Sequence, residues 1–128
     1  MMWRVLVAFG LCVFTSGLAW SQGFTSQRVI PLGYCQLSAA VLANSTSFTA
    51  CPINPLGIPA GATCVLLGVE TAAINYRDDG TVPTTTTGLQ LPFGVAPFSY
   101  CGNLANLKFI AAAAGSPKLD ILFYRLGG

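Results

Sequence analysis

Glycine and proline interrupt this chain so often that little room is left for a helix. Fourteen glycines and eight prolines are spread through 128 residues. Proline fixes φ and removes a backbone donor, and glycine weakens helix interiors. An uncapped helical run shorter than about 12 residues is marginal in water. Short apolar segments bounded by turns therefore read as strands.

Five such segments follow one another. CVLLGVE (Cys64 to Glu70) is a buried-strand run introduced by the turn-rich NPLGIPAGAT, and AAINYR comes directly after it. The polar DDGTVPTTTTG leads into LQLPFGVAPFSYC and then LKFIA. In KLDILFYRL, the residues Leu119, Ile121 and Phe123 face one way, with Lys118, Asp120, Leu122 and Tyr124 facing the other. The GSP turn (Gly115 to Pro117) predicts a hairpin between this strand and LKFIAA. QLSAAVLAN and IAAAAG carry helix-forming alanines, but each is short and lacks an amphipathic stripe. The expected fold is all-β, a single antiparallel β-sandwich or jelly-roll-like domain over residues 22–128.

Residues 1–21 are expected to be a cleaved signal peptide. Arg4 precedes an apolar run from Val5 to Phe14, and Ala19 and Ser21 suit cleavage before Gln22. The run is too short for a membrane span, which needs about 20 apolar residues, so no membrane attachment is expected after cleavage. Four cysteines follow the leader, Cys35, Cys51, Cys64 and Cys101. In an exported chain they predict two disulfides, with all three connectivities open.

The chain contains no histidine. Serine–histidine and cysteine–histidine nucleophile systems and HExxH metal sites therefore cannot be built. The acidic residues are Glu70, Asp78, Asp79 and Asp120. Asp78 and Asp79 are adjacent, whereas glycosidase carboxylates must face each other across a substrate. The calcium-loop pattern D-x-[DN]-x-[DN]-G is not met either. Asp-Gly is a strong turn former, so Tyr76, Arg77, Asp78, Asp79 and Gly80 read as a strand end and turn, with a possible interface role. No catalytic residue, metal or cofactor is expected. Asn44-Ser45-Thr46 fits the N-glycosylation acceptor, which matters only in a eukaryotic secretory route.

Charged residues make up 8% of the chain, against about 25% in ordinary soluble domains. No basic cluster exists to meet a nucleic acid. A surface so poor in charge fits burial against another chain, which predicts a homo-oligomer or docking to a larger assembly.

The motifs VIPLGYCQLS, IPAGAT and Tyr76-Arg77-Asp78-Asp79-Gly80-Thr81, with Pro83, Thr84 and Gly88, resemble a family of small proteins encoded by tailed phages and prophages. The resemblance extends from Val29 to Arg125. Asn75 stands where that family usually has arginine, Cys35 where it has glutamine, and ACPINPL is an insertion that brings Cys51. The resemblance implies a non-enzymatic structural or interaction protein: a virion-decorating or fibre-like subunit, or an exported phage accessory protein. The leader and cysteines favour a periplasmic or extracellular location, with virion association as the other possibility. The alternative is a secreted β-sandwich module that binds a cell-surface ligand such as a glycan through Tyr76, Tyr100, Phe93 or Phe98.

Overall fold

The computed structural model of the protein describes residues 28–53, 56–112 and 115–127. The expected leader lies outside the described residues. Seven strands, β1 (Arg28–Leu37), β2 (Cys64–Glu70), β3 (Ile74–Arg77), β4 (Leu89–Leu91), β5 (Phe98–Tyr100), β6 (Lys108–Ala111) and β7 (Lys118–Gly127), form two antiparallel sheets. The larger has the order β1-β7-β2-β5 and the smaller β4-β3-β6. The fold is all-β, as its turn spacing predicts. One helix, α1 (Ala39–Leu42), is all that becomes of the alanine-rich segment after β1.

Alternation in β7 sets the core. Leu119, Ile121 and Phe123 are fully buried. Cys35 and Leu37 of β1 and Val65 and Leu67 of β2 lie beside them and point the same way. Ile74, Tyr76, Leu91 and Phe109 meet this face from the smaller sheet, joining both sheets in one cluster. Burying each large side chain here stabilises the fold by about 1.5–3 kcal/mol.

The predicted hairpin between LKFIAA and KLDILFYRL does not form. β7 pairs with β1 and β2, and β6 belongs to the other sheet. Both edges of β6 are already occupied, by β3 on one side and by the Thr46–Phe109 bridge on the other. β7, ten residues long, needs longer partners on both sides, which β1 and β2 supply. β6 and β7 therefore lie in different sheets. LQLPFGVAPFSYC likewise divides into β4 and β5, one strand in each sheet.

Pro31 is accommodated because β1 is an edge strand with a bulge between Pro31 and Gly33. Pro59 approaches Gly33 so closely that an added Cβ would lie 3.0 Å from its ring. The PLGY and IPAG motifs are thus packed against each other.

The two open sides of the sandwich are closed differently. On the β1/β6 side, the segment after α1 drops Phe48 into the core from a 3-10 turn at Phe48–Ala50. Its ring packs 5.3 Å from Phe109 and 5.1 Å from Phe123, so it touches both sheets. A disulfide from Cys51 to Cys35 fastens the end of this cover to β1. The other side is bounded by β4, β5 and the loop between them. There a second disulfide, Cys64–Cys101, ties the residue after β5 back to β2.

Candidate functional site

β3 ends at Arg77, and the chain turns immediately afterwards. Gly80 adopts φ +80°, a conformation that side chains disfavour, so the Asp-Gly turn is placed as its residues predict. Asp79 fixes the turn. Arg77 donates to it through Nε at 3.2 Å and Nη2 at 2.5 Å, while Thr81 donates its backbone N–H at 3.0 Å and its hydroxyl at 2.6 Å. The Arg77 guanidinium, aided by Thr81, holds the Asp79 carboxyl well below the usual carboxylate range. The same hydrogen bond raises the pKa of Arg77.

Asp78 points elsewhere. Burial raises the pKa of Tyr76 and of Tyr100, and the charge of Asp78 raises both further. Asp79 thus pins the turn through Arg77 and Thr81, while the charge of Asp78 acts on Tyr76 and Tyr100 and, more weakly, on Arg77. Among the described residues, no group of three metal-ligating side chains converges.

Behind the turn stands Asn75, 5% exposed at the centre of β3. Its Nδ2 donates to the carbonyls of Thr84 at 3.0 Å and Thr85 at 3.1 Å. The threonine loop closes on itself as well, since Thr84 Oγ1 accepts from the backbone N–H of Thr86 and Thr87. Asn75 therefore pins the loop that leads into β4. The reach of its amide was not visible in the sequence.

Past that loop lies an apolar exposed surface. No charged residue occurs from Gly80 to Leu107. Leu89, Val95 and Phe98 are exposed there, as is Phe93 at 54%. Among the described residues, β4 pairs with β3 alone and β5 with β2 alone, so each presents a free strand edge. Between these edges runs a cleft of about 410 Å³, lined by Leu67, Val69, Tyr76, Leu91, Val95 and Phe98.

The four aromatic residues expected to contact a ligand are not brought together on the surface. Tyr76 is 8% exposed, with its ring 5.8 Å from Phe98 on the inner side of the cleft. Tyr100 is half-buried against the core. Phe93 and Phe98 remain accessible. They belong to the apolar face just described. The four cysteines pair as Cys35–Cys51 and Cys64–Cys101, a choice that spacing left open. Both bridges are consistent with an oxidising, exported setting, and no helix among the described residues is long and apolar enough to cross a membrane. No family model, curated protein or solved structure matches the chain.

Proposed function

We propose that the protein is a non-enzymatic structural or interaction domain of phage origin, exported, that associates with copies of itself through the β4/β5 side of the sandwich. One observation carries this reading: an uncharged span places exposed Leu89, Phe93, Val95 and Phe98 beside two free strand edges. Free edges are templates for pairing with another chain. An uncharged apolar surface is complementary to itself, because joining two copies strands no charge away from water. The turn of Tyr76, Arg77, Asp78, Asp79 and Gly80 would border that interface, since the cleft beside it reaches Gly88 and Leu89. The resemblance to small tailed-phage proteins supports a virion-decorating or fibre-like role or an exported accessory role.

Light scattering during size-exclusion chromatography tests the reading, using the exported chain with its disulfides formed. The expected result is an oligomer at micromolar concentration that a Phe93→Asp/Val95→Lys variant converts to monomer with unchanged circular dichroism. A monomeric wild-type chain at about 100 μM, well above ordinary assembly affinities, would refute it.

A further inference from the structure

The outer face of the larger sheet has a feature that packing does not explain. Gly68 sits in the interior of β2, with Asp120 of β7 beside it and Gln36 of β1 beyond Asp120 in the same row. Strand pairing is unbroken from Cys64 to Glu70, so no bulge requires the glycine. Nor does backbone strain, because its φ is not positive. A Cβ at this position would meet only Asp120 Cβ, at 3.7 Å, an ordinary contact. Interior glycine weakens a strand, and where neither a bulge nor a bend needs it, it marks a place where another group approaches the sheet.

The residues around this gap have matched chemistry. Tyr34, one row along the sheet, is 61% exposed, yet its hydroxyl is anchored. It donates to Asp120 Oδ1 at 2.6 Å, and Gln36 Nε2 donates to the same oxygen at 2.8 Å. The ring is thereby held in water with its orientation set. Lys118 and Glu70 face each other in the next row. Acceptors and donors alternate around an aromatic ring and a bare stretch of backbone.

We infer that this face binds a neutral saccharide: one sugar ring stacks on Tyr34, its hydroxyls engage Asp120 and Gln36, and its edge occupies the gap over Gly68. Each sugar hydroxyl both donates and accepts, which a mixed carboxylate–amide set satisfies. The C–H face of a sugar is apolar and suits the exposed tyrosine ring. An anion would meet two carboxylates, Asp120 and Glu70, while Lys118 opposite Glu70 offsets part of their pull on a cation. The site lies on a different surface from the β4/β5 cleft, so its failure leaves the self-association reading untouched.

Saturation-transfer NMR on the full exported chain tests this, with tetrasaccharides of glucose, galactose, mannose and N-acetylglucosamine as probes. At least one is expected to receive saturation. Tyr34→Ala should weaken that binding by about tenfold or more. Gly68→Val should abolish it while leaving the melting temperature unchanged or raised, because valine is a better strand former and its Cβ makes only an ordinary contact. The inference is overturned if none of the four binds the wild-type chain. Undiminished binding in either variant, or displacement of the sugar by tetralysine, would also overturn it.

Discussion

Reduction of the two disulfides should strongly destabilise this domain, and the reason lies in the denatured chain. A cross-link removes loop-closure entropy from the unfolded ensemble in proportion to the logarithm of the loop it closes. The Cys35–Cys51 loop spans 16 residues, which corresponds to about 3 kcal/mol in that model. The Cys64–Cys101 loop spans 37 residues and corresponds to about 4 kcal/mol. Domains of this size are stable by only about 5–15 kcal/mol, so the combined loss of about 7 kcal/mol removes half or more of the margin. The bridges also differ in what they hold locally. Cys35–Cys51 fastens a cover with one four-residue helix and one 3-10 turn, whereas Cys64–Cys101 holds the end of a three-residue edge strand. Thermal denaturation of Cys35→Ala/Cys51→Ala and of Cys64→Ala/Cys101→Ala should therefore show midpoints lower by about 12 °C or more, the second variant falling further. Intact mass before and after reduction should count two bridges. A fully reduced wild-type chain melting within about 5 °C of the oxidised one, a change of about 1 kcal/mol, would refute the reasoning.

Three further outcomes follow from local geometry. Asn75→Ala removes two hydrogen bonds to loop carbonyls that water can partly replace, so urea denaturation should show a loss of about 1–3 kcal/mol with an unchanged m-value. Gly80→Ala forces a side chain into a positive-φ position and should cost about 1 kcal/mol in the same assay. For Asp79, the folded-state pKa is depressed, so its contribution is present above the unfolded-state value and is lost as pH falls through the lower folded value. Acid titration followed by fluorescence should accordingly be less steep below about pH 4 in Asp79→Asn than in the wild-type chain.

Most strands were legible because their evidence is local: the alternation of Leu119, Ile121 and Phe123, or the apolar run from Cys64 to Glu70. The Asp-Gly turn was legible for the same reason, since Gly80 alone supplies its φ. Pairing was not. Nothing in LKFIA shows that Thr46 already occupies one of its edges, and the short GSP turn gave a local argument for the wrong neighbour. Asn75 was missed because its partners lie nine and ten residues onward in a loop whose path is set by tertiary packing. Phe48 was missed because it enters the core from a 3-10 turn, where no hydrophobic period announces it. Gly68 passed as one more glycine in the sequence, and became informative only when the space above it proved open.

The two sides of the sandwich connect these observations to function. A two-sheet sandwich has two sides where core side chains would otherwise meet water. On the β1/β6 side the chain solves this internally: Phe48 bridges the sheets, and Cys51 ties its segment down to Cys35. On the β4/β5 side the segment Pro92 to Pro97 leaves a cleft whose lining includes Tyr76 and Leu67 of the core. Cys64–Cys101 fixes the position of β5 there without covering the apolar side chains in front of it. Nor can charge keep that side soluble, since the span from Gly80 to Leu107 has none. In the proposed assembly a second copy would complete this side as Phe48 completes the other, by supplying apolar surface, and would pair the free strand edges. Charge is thus scarce where the sandwich is left open, while Tyr34, Gln36, Glu70, Lys118 and Asp120 share the separate outer face of the larger sheet.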